Sequence, residues 1–269
     1  CWYLVIGSLV HAVADRMVRL HDAGRRWRVV ALEPRFDGVV HLELDLRDGA
    51  FAFEAGQYCF LRVGRISDLE WHPFTLSGAP SDRRITFDIK AMGSEGTFAA
   101  RLRRLAEDRV ALESLDVAVE GPYGCAPLYS QYDAVLLVAG GIGVTPCHSI
   151  FRELYVRHDG PAVTLLWVAR HRRCFELFGA TLRAAAGDDA FRLALYVDGE
   201  KSPDAWGEQD VHQGIPFTHG RPDVSRAVAD LAACSSPYVF VCGPPGLSAA
   251  CAAAALEHDV AFHSEVFAF

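Results

Sequence analysis

No C-x-x-C pair joins any of the 8 cysteines, and no H-x-x-x-H or H-E-x-x-H joins any of the 11 histidines. Zinc frameworks and helix-borne zinc sites therefore find no support, and no stretch resembles an EF-hand calcium loop. The scattered thiols (Cys1, Cys59, Cys125, Cys147, Cys174, Cys234, Cys242, Cys251) read as reduced side chains facing a cytosol-like compartment, not as the dense framework of a small secreted domain. Basic charge is in deficit, with 26 Lys and Arg against 34 Asp and Glu and a net charge of −8, which argues against a nucleic-acid partner. A long apolar run is missing as well. Cys1 to Val10 is apolar and is followed by Arg16, Arg19, Arg25 and Arg26, only about half of the roughly 20 residues a membrane helix needs. A signal peptide would carry its basic residues before the apolar stretch. Basic residues after it match the cytosolic end of a transmembrane helix, and the absence of an initiator Met fits a piece of a larger protein. Residues 1–24 are accordingly expected to be the end of a last transmembrane helix and a linker; an amphipathic helix packed on the following domain is equally compatible. His11, the only histidine in this apolar segment, has no partner at helical spacing, so no haem is assigned to it.

What is present suits a folded, two-domain chain. At 269 residues, with 51% hydrophobic and 22% charged residues, the length exceeds one typical domain and a sizeable core is expected. From Arg26 to about Gly124 the pattern is of short alternating runs, at 27–32, 39–44, 58–63, 74–77, 85–90 and 116–119, broken by Gly, Pro and Asp, with one helix expected from Thr97 to Leu105. That is the signature of an antiparallel barrel. Beyond Gly124 the runs at 134–139, 162–168, 193–197 and 238–241 are almost continuously apolar and alternate with helical segments. Strands buried on both faces imply a parallel, doubly wound sheet. The boundary is expected near residue 126, dividing the chain into 25–126 and 127–269. Glu200 to His219, with Pro203, Gly207, Gly214 and Pro216, is read as an irregular surface loop.

Gly140-Gly141-Ile142-Gly143-Val144-Thr145-Pro146 directly follows a buried strand and precedes a helix expected at Cys147 to Arg157. Glycines permit close backbone approach to a pyrophosphate, and the helix offers it free N–H groups and a positive dipole end. A tight strand-to-helix turn without ligand is the plain alternative. The next strand ends at Arg170-His171-Arg172-Arg173, where a ribose hydroxyl would call for an acidic residue. Arginines there, with Arg221 in Gly220-Arg221-Pro222, point instead to the 2′-phosphate of NADPH, although each taken singly reads as a solvated arginine at a strand end and only the combination with the glycine turn shifts the balance. In the first half, Glu70-Trp71-His72-Pro73-Phe74-Thr75-Leu76-Ser77 and Gly93-Ser94-Glu95-Gly96-Thr97 provide an aromatic, a hydroxyl and a helix start, which a flavin needs for its ring, its N5 and its phosphates. Spacing alone does not separate this from a core strand and a helix cap.

Leu69 to Leu76, Glu120-Gly121-Pro122-Tyr123-Gly124, Gly140 to Pro146, Gly220-Arg221-Pro222 and Val241-Cys242-Gly243-Pro244 resemble, in this order, the NADPH oxidase and ferric reductase superfamily. The likeness spans nearly the whole chain and is specifically to the cytosolic dehydrogenase domain of an NADPH oxidase. It implies a fold like that of the ferredoxin-NADP reductases: an antiparallel Greek-key FAD-binding barrel followed by a Rossmann-like NADP-binding domain. It further implies that NADPH gives hydride to FAD, which passes single electrons to a haem in the membrane domain of the same full-length protein, on whose cytosolic side this domain would lie, and thence to dioxygen. A membrane ferric-chelate reductase has the same cofactors. A flavin-binding regulatory module without turnover is the third reading.

By the same resemblance His72, Pro73, Phe74, Thr75 and Ser77 would hold FAD, with Thr75 near N5 and Phe74 against the ring. Ile89, Lys90, Gly93, Gly96 and Thr97 would lie toward its diphosphate. Gly140, Gly141, Gly143, Val144, Thr145 and Pro146 would take the NADPH pyrophosphate and ribose, and Arg170 and Arg221 its 2′-phosphate. Cys242, followed by Gly243 and Pro244, would sit near the nicotinamide C4. Glu265-Val266-Phe267 resembles the terminal acid-x-aromatic whose ring covers the flavin, with Phe269 as the competing aromatic; a last strand turning its aromatics into the core is equally compatible. The chain departs from the family in carrying Gly96-Thr97 where a Trp-Thr pair is usual, and in extending past Phe267 by two residues.

Overall fold

The computed structural model describes residues 27–46, 51–124, 129–201 and 203–265. The expectations for the N-terminal segment, for Phe267 and for Phe269 lie outside the described residues. Among the described residues no helix is long and apolar enough to cross a membrane.

Two three-stranded antiparallel sheets form the first half. β1 (Trp27–Pro34), β2 (Val39–Leu46) and β5 (Ile85–Lys90) make one, in the order β1-β2-β5; β3 (Tyr58–Val63), β4 (His72–Thr75) and β6 (Val117–Tyr123) make the other, in the order β4-β3-β6. Alternate residues from both sheets enter one core that includes Val29, Leu42, Leu61, Phe87, Ile89 and Val119, the inward–outward period expected of a barrel with a solvated outside. Helix α1 (Phe98–Glu107) closes one end. Thr97 caps it, its hydroxyl accepting from the Ala100 N–H at 3.3 Å, and Phe98, Ala100 and Leu102 pack inward.

The second half is a seven-stranded sheet in the order β10-β11-β9-β8-β7-β12-β13. β7 (Ala134–Gly140), β8 (Ala162–Ala169), β9 (Phe191–Val197), β11 (Ile215–His219), β12 (Pro237–Cys242) and β13 (Ala261–Glu265) are parallel, and only β10 (Gln209–His212) runs antiparallel. Helices α2 (Val144–Arg157), α3 (Gly179–Ala185), α4 (Val224–Leu231) and α5 (Pro245–Glu257) cover its faces, one apolar core lying on each side. The irregular loop expected at 200–219 is corrected here. Ile215, Phe217 and His219 alternate inward and pair β11 with β9; Pro216 and the polar β10 hide that period in the sequence.

β8, β9 and β11 follow β7 on one side of the sheet, whereas β12 and β13 return on the other. The point of reversal, between β7 and β12, is where an open parallel sheet leaves a crevice beyond its carboxyl ends.

The two halves are welded through α2 and the loop after β4. The His148 Nδ1–H donates to the Ser77 carbonyl at 2.6 Å, the Ser149 hydroxyl donates to the Gly78 carbonyl at 2.6 Å, and Arg152 holds Asp82 through two N–H donors at 2.8 and 2.6 Å. Ser81 adds a bond to Glu153. The helix that starts at the glycine turn is thus fixed to the strand carrying Phe74 and Thr75.

His148 is stacked on Phe178 at 3.7 Å, and its burial lowers its pKa to about 4. A histidine kept neutral in this way contributes stability above its unfolded pKa near 6.5, and that contribution is lost as pH falls toward 4, because the unfolded chain takes up the proton first. The thermal midpoint is expected to drop between these values by the equivalent of up to about 3 kcal/mol, and less steeply in His148→Gln. Parallel midpoint-against-pH curves for the two proteins would remove His148 from this role.

Candidate functional site

At the switch point the loops leaving β7 and β12 interleave so closely that only glycine fits. A Cβ on Gly143 would stand 2.2 Å from the Cys242 carbonyl oxygen, one on Gly140 would stand 2.4 Å from Pro244 Cδ, and one on Gly243 would stand 2.9 Å from the Gly140 nitrogen. Gly141 takes φ +57 with nothing within 4 Å of where its Cβ would be; its carbonyl accepts from the Trp167 indole at 2.9 Å, which holds the turn open. Val144, Thr145 and Pro146 form the first turn of α2 and are buried, the Thr145 hydroxyl donating back to the Ile142 carbonyl at 3.2 Å. The expectation that these three hold the nucleotide is corrected here: none of them lines the cleft, the Val144 N–H is taken by the Gly141 and Ile142 carbonyls, and Pro146 has no N–H to offer.

This turn floors a cleft of about 1160 Å³ between the halves of the molecule. Gly140, Gly141, Gly143, Gly243 and Pro244 line its floor, Arg170 and Arg221 one end, and Lys90 the barrel wall. Arg173, from the basic segment singled out in the sequence, lines it too, and three further lining residues were not legible there: Phe36 and Asp37 in the β1–β2 turn, and Asp198. The only signals for them were a turn-forming Asp-Gly after Phe36 and a position just past a strand end.

The arginines differ in what occupies them. Arg172 is committed: it holds Glu200 at 2.5 Å and Asp210 at 3.2 Å. Although burial opposes it, the Arg172 backbone N–H and guanidinium hold the Glu200 carboxyl below its ordinary pKa. Arg173 stacks over Phe36 at 4.5 Å, the Phe36 ring lying 4.7 Å from that of His171, so the barrel turn and the 170–173 segment clasp across the cleft. Arg170 is exposed. Arg221, 70% exposed, donates from Nε to Asp198 at 3.0 Å.

Of the flavin candidates only Lys90 lines this cleft, whose barrel wall is Arg35, Phe36, Asp37, Val39, Lys90 and Met92. On β4, His72 and Phe74 are half-buried and stack on Phe98 at 4.5 and 5.8 Å, Pro73 is exposed and Thr75 buried. Glu70 bridges His72 at 3.4 Å and the Arg101 guanidinium. Gly93 and Gly96 are exposed beside the capped start of α1.

Several predicted residues are placed otherwise. The Ile89 side chain is 2% exposed in the barrel core and can meet a diphosphate only through its backbone. Lys90 turns to Asp37 at 2.5 Å and to the cleft. Ser77 donates to Asp88 at 2.6 Å and belongs to the weld between the halves. Cys242 is fully buried beneath Gly143, burial pushing its thiol pKa well up. It is the register partner of Glu265, whose carboxyl burial raises to about 7. Such a group changes protonation near neutrality, as a proton donor or acceptor must.

The residues fit two nucleotide cofactors: a glycine cradle that any Cβ would fill, with a basic end, and a half-exposed aromatic stack beside an open helix start. Among the described residues no cluster has the makings of a metal site, and Cys59, Cys147, Cys174, Cys234, Cys242 and Cys251 are free thiols.

Comparison with known proteins agrees. Residues 23–127 match the family model of an FAD-binding domain, and residues 132–256 that of a ferric reductase NAD binding domain. The chain is 29% identical over 278 residues to human NADPH oxidase 3, covering 92% of this chain and 48% of that protein. To a superoxide-generating NADPH oxidase heavy chain of Dictyostelium discoideum it is 28% identical over 281 residues, covering 92% and 54%. It therefore spans about half the length of these relatives. In fold it is similar to the FAD/NAD-binding domain of Vibrio cholerae nitric oxide dioxygenase (TM-score 0.68, 20% identity, 91% of this chain and 98% of that one). The ferredoxin NADP+ reductase of Neisseria gonorrhoeae is a second likeness (TM-score 0.64, 14% identity, 89% and 97%).

Proposed function

We propose, from the premise that the chain belongs to the NADPH oxidase and ferric reductase superfamily, that it is an FAD-dependent dehydrogenase domain drawing its electrons from NADPH. The observation that carries this reading is the interleaved Gly140–Gly143 and Cys242–Pro244 turn at the sheet's switch point, opening toward Arg170 and Arg221. In this reading the Gly140–Gly143 turn takes the pyrophosphate, and the two arginines take the 2′-phosphate. The stack of His72, Phe74 and Phe98 holds the flavin, with Thr75 beside it and Gly93 to Thr97 toward its phosphates. Bound FAD supplies the conversion of a two-electron hydride into single electrons. The weld from α2 to the Ser77–Asp82 loop fixes one nucleotide site relative to the other, which is the protein's share of the rate. In this reading Glu265, the register partner of Cys242 with its carboxyl raised by burial to about 7, would be the group near the nicotinamide that holds or releases a proton.

In the longer protein a haem-bearing membrane domain would receive the electrons and dioxygen would be the final acceptor, with this domain on the cytosolic side. Purified chain reconstituted with FAD is expected to oxidise NADPH with ferricyanide as acceptor and to make little superoxide by itself. Absence of ferricyanide-coupled NADPH oxidation would overturn the proposal. A flavin spectrum that NADPH fails to bleach without oxygen would favour a non-catalytic flavin module instead.

A further inference from the structure

The basic end of the cleft contains a carboxylate that no phosphate would choose as a neighbour. β8, β9 and β11 finish side by side there. The Asp198 N–H bonds to the Ala169 carbonyl at 3.0 Å and the Gly220 N–H to the Val197 carbonyl at 2.8 Å, so Asp198, Arg170 and Arg221 are fixed at adjoining strand ends. Of the carboxylates lining the cleft, Asp37 is taken by Lys90 at 2.5 Å and Glu176 by His212 at 2.8 Å. Asp198 alone among them is paired with an arginine that the 2′-phosphate would need, Arg221, and its side chain is only 17% exposed where that of Arg221 is 70% exposed.

Two consequences follow from elementary electrostatics. An anion arriving at Arg221 has to displace or share it with Asp198, and a phosphate dianion placed beside the carboxylate is repelled. A carboxylate at a strand end is also the group that accepts a ribose hydroxyl in nucleotides lacking that phosphate. We propose that Asp198 is the specificity-determining residue of this site: it restrains the preference for the 2′-phosphate and keeps the cleft open to the unphosphorylated dinucleotide. This rests on the nucleotide reading of the cleft.

Calorimetric titration of the full chain with 2′,5′-ADP and with 5′-AMP reads this end of the site without turnover. Asp198→Asn, which removes the charge at constant shape, is expected to tighten 2′,5′-ADP by about fivefold, the upper range for an exposed ion pair, and to leave 5′-AMP unchanged or weaker. Asp198→Glu, which pushes the charge into the cleft, is expected to weaken 2′,5′-ADP; it decides alone if the Asn variant does not fold. Opposite signs for the two variants are not a result that general damage produces. Unchanged 2′,5′-ADP affinity, or equal shifts for both fragments, overturns the role of Asp198. If 2′,5′-ADP fails to bind the wild-type chain, or Arg170→Ala leaves its binding untouched, the underlying assignment of the cleft has failed instead.

Discussion

Replacing Arg170 and Arg221 together by Ala is expected to raise KM for NADPH by on the order of 10- to 100-fold while leaving KM for NADH nearly unchanged. A hydrogen bond from a charged donor contributes roughly 1.5 to 3 kcal/mol, and each factor of ten corresponds to about 1.4 kcal/mol. The lower part of the range applies to Arg221, because it is largely exposed and already paired with Asp198, so the phosphate gains only the difference between two partners. Arg170, exposed at the end of β8 and lining the cleft, has no such competitor among the described residues and should account for most of the loss. Arg172→Ala is the contrast: its guanidinium is held by Glu200 and Asp210 outside the cleft, so its loss should affect stability and spare nucleotide choice. Steady-state kinetics with both nucleotides and ferricyanide reads the result. Equal losses for NADPH and NADH would show that the arginines do not meet a 2′-phosphate.

The second large effect is steric. Gly143→Ala is expected to destabilise the fold by about 1 to 3 kcal/mol and to abolish the reduction of bound flavin by NADPH. The backbone of Gly143 is ordinary right-handed helix, with φ −58 and ψ −3, so conformational strain is not the cause. The cause is the Cys242 carbonyl, 2.2 Å from where the methyl would be placed, with the Gly243 nitrogen at 3.1 Å. Backbone cannot swing aside as a flexible side chain does, so the end of β12 must move away from the glycine turn and the cradle opens. Gly141→Ala separates strain from crowding. Its φ of +57 is left-handed but the space around it is empty, so it should cost only about 1 to 2 kcal/mol and retain flavin reduction. Thermal midpoints and stopped-flow flavin bleaching distinguish the two; a Gly143→Ala protein as stable and as readily reduced as wild type would refute the interleaved-loop account.

The architecture is legible in the chain because burial writes its period directly into the order of residues. The alternation of Val29, Leu42, Leu61 and Phe87 with polar neighbours and the unbroken run Ala134 to Ala139 correspond to β1, β2, β3, β5 and β7 as the structure has them. The glycine turn is legible too, since small residues between a buried strand and a helix are a local requirement. Where local pattern and packing conflict, the sequence is silent: Pro216 concealed β11, and Ile89, which the resemblance set toward the FAD diphosphate, turns its side chain into the barrel core. Which arginine is free and which is spent is settled by folding alone, because Arg170, Arg172 and Arg173 are alike in the chain and differ solely in Glu200, Asp210 and Phe36, brought to them from elsewhere. The same holds for the weld of His148 to Ser77 and the pairing of Asp198 with Arg221. Hydrogen bonds and ion pairs between residues distant in the chain leave no periodic trace in it: Arg172 to Glu200 and Asp210, and Asp198 to Arg221, exist only once the sheet has folded, and Arg173 to Phe36 and His148 to Ser77 only once the barrel has met it.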